Sequence, residues 1–181
     1  MRHAHAPYPA TWTVERARDA YLAENGFTPE AYDDRWTEAV VGPLRLYVPN
    51  TRRHRWAIRL HDLHHAVTGY GTDLAGEGEV SAWELRRGLQ GVGPYIASIV
   101  VAGVLAGLLV APKRTLAAWR SSGRASGSLF QLARPYEELL GLPLGELRVE
   151  LGVPRGGLAD RPRGLHAAAP RVSGGRGAGR R

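Results

Sequence analysis

The sequence has no cysteine among its 181 residues, which excludes disulfides and thiolate metal sites and permits a reducing compartment. It has one lysine, Lys113, so its positive charge is almost wholly arginine. Neither a phosphate-binding glycine loop nor a dinucleotide fingerprint occurs. No internal repeat is apparent, and no serine, histidine and acid stand in a spacing that suggests a hydrolase triad. The first residues, Met-Arg-His-Ala-His-Ala-Pro-Tyr-Pro, lack the apolar stretch of a secretion signal, so a cytoplasmic location is the expectation.

The net charge of +7 would suggest a nucleic-acid binder if it were spread over the body of the chain. It is not. Residues 155–181 hold seven arginines against Asp160 alone, which leaves residues 1–154 at +1. A Gly-, Pro- and Arg-rich segment buries too little apolar surface to offset its ordering entropy. The expected organisation is therefore a domain over residues 1–154, large enough for a real core, followed by a disordered basic tail over 155–181. No specific nucleic-acid partner is expected.

What the sequence does hold is concentrated in residues 60–79. His61 and His65 stand one helical turn apart and project about 40° from each other at roughly 100° per residue. Asp62 falls about 60° beyond His65, within the same arc, and His64 lies on the opposite flank. Two imidazoles a turn apart are the usual way a helix offers two nitrogen ligands to a metal. Residues 69–72, Gly-Tyr-Gly-Thr, break this helix, and Glu77 sits in the first turns of the next, able to close the site. His61, His65 and Glu77, with Asp62 as fourth ligand or behind the ligands, make a nitrogen and oxygen site for a divalent ion, with Zn2+ the first choice. Glu77 also has an ordinary reading, because an acid near a helix start is favoured by the dipole. His64 and Glu79 are candidates for groups behind the ligands, with exposure to solvent the first expectation for Glu79, and His3, His5 and His54 read as tail or surface residues.

The surrounding pattern is helical. Thr13 caps a first helix with Val14, Ala17 and Tyr21 on one face. Residues 37–48 alternate in strand fashion around Gly42-Pro43 and predict a small hairpin. Asn50 or Thr51 caps the motif helix, which runs to about Thr68, and Asp73 or Thr72 caps the next. Residues 88–112 carry no charge, and Pro94 starts a helix lasting to about Ala111. Its length suits a membrane span, but the short helices around it need an apolar partner, which predicts a buried central helix. Gly103 and Gly107 would let another backbone approach it closely. Leu144, Leu147 and Leu151 form the inner face of a last helix ending at Gly152. The fold class expected is all-α.

His61-Asp62-x-x-His65, eleven residues, then Glu77 resembles the metal motif of the coenzyme Q biosynthesis protein 4 family. The likeness extends to Gly69, Thr72, Asp73, Gly76 and the Gly- and Pro-containing apolar helix, and covers about residues 50–153. Upstream of the motif this chain departs from the family, with a short basic lead-in over residues 47–56. The resemblance implies an all-helical protein peripheral to the inner face of the membrane, often dimeric, working with other quinone-biosynthesis proteins. It implies oxidative decarboxylation of a polyprenylated hydroxybenzoate-type ring, with the C1 carboxylate replaced by hydroxyl. Asp62 or Glu79 would then be the catalytic carboxylate or would orient a ligand histidine.

Two other readings stand beside it. A prenyl-lipid-binding or scaffold protein would use the metal only to tie two helices together. A metal phosphohydrolase of the His-Asp class would need a further histidine well upstream and an aspartate well downstream on separate helices, and His54 and Asp73 stand too close in sequence for those places.

Overall fold

The computed structural model describes residues 7–41, 44–123 and 127–159. Seven α-helices and one hairpin occur among them. They are α1 (Val14–Glu24), β1 (Trp36–Val41), β2 (Leu44–Pro49), α2 (Arg52–Thr68), α3 (Leu74–Arg87), α4 (Gly93–Val110), α5 (Pro112–Ser121), α6 (Tyr136–Leu140) and α7 (Leu144–Glu150). The all-helical class is thus observed, with the small hairpin as its one addition. The strands pair antiparallel from Trp36 opposite Pro49 to Val41 opposite Leu44. The two turn residues, 42 and 43, lie outside the described residues.

The helix starts follow their caps. Thr13 accepts the Arg16 N–H at 3.2 Å, Thr51 the His54 N–H at 3.1 Å and Asp73 the Gly76 N–H at 2.7 Å. Gly69, at φ +83°, closes α2 in the left-handed conformation that glycine adopts without strain. A Cβ at Gly76 would collide with the Gly71 carbonyl, so the α2–α3 turn folds directly over the start of α3.

The core is built on α2 and α3, not on α4. Leu63, Ala66, Val67, Val80 and Trp83 are sealed from solvent, and Val14, Ala17, Leu144, Leu147 and Leu151 close over them as their spacing predicts. At the end of α2, Arg148 is fully buried and acts as a cap. Its guanidinium donates to the carbonyls of Ala66 at 3.0 Å, Val67 at 2.9 Å, Tyr8 at 2.9 Å and Arg155 at 2.7 Å. Helix C-termini leave such carbonyls without partners, and a cation suits the negative end of the dipole.

The buried central helix is a correction. The apolar helix forms where expected, but within it only Ile96, Val100 and Gly107 are buried, and Leu109 is 86% exposed. The cause is the glycines. Gly107 meets Gly78 backbone to backbone and Gly103 lies against Ser81, so α4 touches α3 along a narrow seam of small residues. Its wider apolar side faces outward. The structured chain also runs past residue 154, because the N–H groups of Leu158 and Ala159 donate to Thr68 O. The rest of the expected disordered tail, residues 160–181, lies outside the described residues.

Candidate metal centre

The break between α2 and α3 turns Glu77 back onto the His61 and His65 face. The Nε2 atoms of the two histidines lie 3.2 Å apart. Glu77 Oε2 is 3.3 Å from His61 Nε2, and Glu77 Oε1 is 3.5 Å from His65 Nε2. A tetrahedral zinc ion about 2.05 Å from each ligand atom needs ligand-to-ligand separations of about 3.3 Å. Each pairwise gap is thus near that separation, Glu77 meeting the two nitrogens with different oxygens, and one ligand atom from each residue lies within 4.8 Å of the other two. Among the described residues these three are the group whose donor atoms converge in this way. His65 is fully buried, while the side chains of His61 and Glu77 are 24% and 38% exposed, so the cluster reaches solvent from one side.

The far nitrogens are also committed. His65 Nδ1 donates to the Tyr70 carbonyl at 3.2 Å, and His61 Nδ1 donates to Glu84 Oε1 at 2.8 Å. With a proton on each Nδ1, a neutral imidazole turns a lone pair at Nε2 toward its neighbour and toward the Glu77 carboxylate. Three acceptors pointed at one place repel unless a cation lies among them. This arrangement, with a carboxylate or carbonyl behind each histidine, is the one that fixes metal-ligating imidazoles.

The electrostatics agree in direction. Burial pushes His61 downward, but Glu84 and Glu77 outweigh it and hold its pKa well above the ordinary value. Burial would raise Glu77, yet His65 and His61 hold it far below the usual carboxylate range. Glu84 is likewise opposed by burial and is held at about 2 by His61 and His64. Metal-free, the cluster keeps a proton where an ion would sit.

Two expected members do not join it. Asp62 lies on the flank facing the 29–33 turn, about 100° around α2 from His61. Its Oδ2 accepts the Tyr32 hydroxyl at 2.6 Å. Burial raises its pKa, against the pull of His61, the Tyr32 hydrogen bond and His65. Glu79, two residues past Glu77, points to the other side of α3. It grips Arg114 of α5 with both oxygens, at 3.0 and 2.6 Å, so it is neither a free base nor a group behind the histidines. His54 hydrogen-bonds Asn50 and Asp73 caps α3, so neither extends a His-Asp phosphohydrolase site.

Glu84 is the residue that the motif does not announce. It lies seven positions after Glu77 and therefore on the same face of α3, two turns on. That heptad spacing was the available signal. His64, expected behind the ligands, is there through Glu84, which it meets at 2.6 Å.

Comparison with protein-family models, with curated proteins and with solved structures finds no match for this chain.

Proposed function

We propose that the chain is a metal-dependent protein of ubiquinone-type biosynthesis that acts on a polyprenylated hydroxybenzoate-type ring at the membrane surface. The reaction proposed is oxidative decarboxylation, C1 carboxylate to hydroxyl. The observation that carries this reading is the convergence of His61, His65 and Glu77, one ligand atom from each lying within 4.8 Å of the others, in the order and spacing of the motif that the sequence resembles. Three protein ligands leave one corner of a tetrahedron for water or substrate, the pattern of catalytic rather than structural zinc.

When bound, a divalent ion supplies Lewis-acid stabilisation for charge on a ring carboxylate or phenolate. The residues of the chain do the rest. His65, buried against the stacked ring of Tyr21, and His61, braced by Glu84, orient the site. Asp62 stands apart from them on the neighbouring flank of α2, with the Tyr32 hydroxyl on its Oδ2. Replacing carboxylate by hydroxyl is a two-electron oxidation. A chain without cysteine has no thiol couple to accept those electrons, so an external oxidant such as dioxygen is a co-substrate.

The outward side of α4 supports contact with lipid. Leu105, Leu109 and Val110 are more than half exposed, and Lys113, Leu116 and Arg120 line the outer face of α5 beside it. Arg53 lies against Gly93 at the other end of α4. An apolar helix side edged by cations fits the boundary of an anionic bilayer. The same surface favours the second reading, a prenyl-lipid scaffold in which the metal is structural.

Metal content of the purified protein, with His61→Ala and Glu77→Ala beside it, is the first test. One equivalent in the wild type and its loss in both variants is expected; equal substoichiometric metal in all three removes the proposal. Conversion of the ring carboxylate by wild type but not by folded Glu77→Ala then separates enzyme from scaffold.

A further inference from the structure

A buried hydrogen-bond chain ends on the proposed metal ligand His61 and begins at a peptide group 65 residues beyond His64. The Leu129 N–H, in the turn before α6, donates to His64 Nε2 at 3.0 Å. A backbone N–H can only donate, so His64 Nε2 is unprotonated and its proton is on Nδ1. That Nδ1–H meets Glu84 Oε1 at 2.6 Å, and the same oxygen receives the His61 Nδ1–H at 2.8 Å. His64 and Glu84 are both fully buried, packed among Trp83 and Phe130. The peptide N–H fixes the His64 tautomer, and Glu84 holds a proton on His61 Nδ1, so that His61 Nε2 is the nitrogen that faces Glu77 and His65 and takes either a metal or, without one, a proton.

The charges point the same way. Glu84 is a sealed carboxylate whose ion-pair partners among the described residues are His61 and His64, and its Oε2 has no hydrogen-bond partner. A buried charge of this kind is costly unless compensated. The peptide N–H keeps His64 neutral, so compensation has to come from the His61 side. A divalent ion held by Glu77 and braced by Glu84 would bring the cluster to neutrality.

We propose that Glu84 and His64 are positioning residues for the metal, setting the tautomer of His61 and supplying the second negative charge that a divalent ion requires. The inference rests on the metal reading above and adds residues that no part of the motif names. Two consequences distinguish it from a packing role. Loss of the charge alone, with an oxygen kept in place, weakens the metal. Return of a donor at the Nδ1 position of residue 64 restores it.

The test is zinc affinity by competition with a chromogenic chelator, measured together with thermal unfolding of the metal-free protein. Glu84→Gln keeps an accepting oxygen and removes the charge. It is expected to bind zinc about 10- to 100-fold more weakly, the usual cost of losing a group behind a ligand. His64→Leu is expected to weaken zinc by a similar factor, and His64→Asn, whose amide nitrogen falls near the lost Nδ1, to recover most of it. Folded Glu84→Gln and His64→Leu proteins that bind zinc as the wild type does overturn the inference and leave the metal centre standing. So does an affinity loss in His64→Leu that His64→Asn does not repair. If Glu84→Gln does not fold, the His64 pair decides. Wild-type protein that binds no zinc, like Glu77→Ala, overturns the metal reading and this inference together.

Discussion

Gly78 and Gly107 bring the backbones of α3 and α4 into direct contact, one residue along the chain from the proposed ligand Glu77. A Cβ on Gly78 would run into the Gly107 Cα, and one on Gly107 would meet Gly78 and the Thr115 hydroxyl. Gly107→Ala is therefore expected to cost about 1–3 kcal/mol, the usual penalty for overpacking a close contact. Urea unfolding measures it. A variant as stable as the wild type would mean that the seam has slack.

The carboxylates of the cluster make the metal-free fold sensitive to acid. Glu84 is held at about 2, below its unfolded value. A depressed pKa contributes stability that is fully present above the unfolded value, near 4.3, and is lost as pH falls through the folded one. His61 is raised and works in the opposite direction. Its contribution is complete below about 6.5 and declines as pH rises through its folded value. Unfolding free energy of chelator-treated protein should fall from pH 5 toward about pH 2–3, and less steeply in Glu84→Gln. Zinc competes with the His61 proton, so its binding should release protons and weaken on acidification.

Glu79 and Glu77 look equivalent in the sequence and should behave as opposites. Glu79 holds Arg114 through two hydrogen bonds, with its own side chain 6% exposed and that of Arg114 23% exposed. Glu79→Gln is expected to cost about 1–3 kcal/mol, because a nearly buried charge-assisted pair is broken while the arginine keeps access to water. Zinc stoichiometry should not change. A Glu79 variant that loses zinc at full stability would return that residue to the site.

Arg148 is expected to be among the costliest positions outside the metal centre. Replacing it with methionine leaves the carbonyls of Ala66, Val67, Tyr8 and Arg155 without its five-donor fork, three of those bonds being fully buried. A loss of about 3 kcal/mol or more is expected from the accumulated desolvation. Arg148→Lys should recover little, since one ammonium cannot reach all four directions. Denaturant titration of both variants checks this.

Much of this was legible in the chain, and the parts that were not share a cause. Caps at Thr13, Thr51 and Asp73 and the spacing of His61, His65 and Glu77 are local, so sequence carries them. The expected burial of α4 fails because the short helices find their apolar partners on α2 and α3. Gly103 and Gly107 narrow the contact to a seam, and what lies outside a seam is decided by partners and not by composition. Glu79, Asp62 and Arg148 depend on Arg114, Tyr32 and the α2 carbonyls, which lie 30 to 82 positions away in sequence. Periodicity contains no term for such pairs. Glu84 was within reach, since seven residues after Glu77 is the same helix face.

The outward side of α4 gives the last prediction. Leu105 and Leu109 are 57% and 86% exposed, on a helix of 18 uncharged residues with Arg53 near its start and Lys113 just past its end. The helix packs on α3 through its small residues, so these leucines contribute little to the fold, and aspartate there should cost little stability. Membrane contact is another matter, because each substitution removes apolar area from the interface and adds a charge that anionic headgroups repel. Wild-type protein is expected to sediment with vesicles of phosphatidylcholine and phosphatidylglycerol more than with phosphatidylcholine alone, and less as salt is raised. Leu105→Asp combined with Leu109→Asp should abolish sedimentation while leaving zinc content and unfolding temperature near wild type. Equal sedimentation of the double variant would place the lipid contact elsewhere. A variant that instead changes from dimer to monomer, with no vesicle binding in either protein, would make this face an interface between copies of the chain.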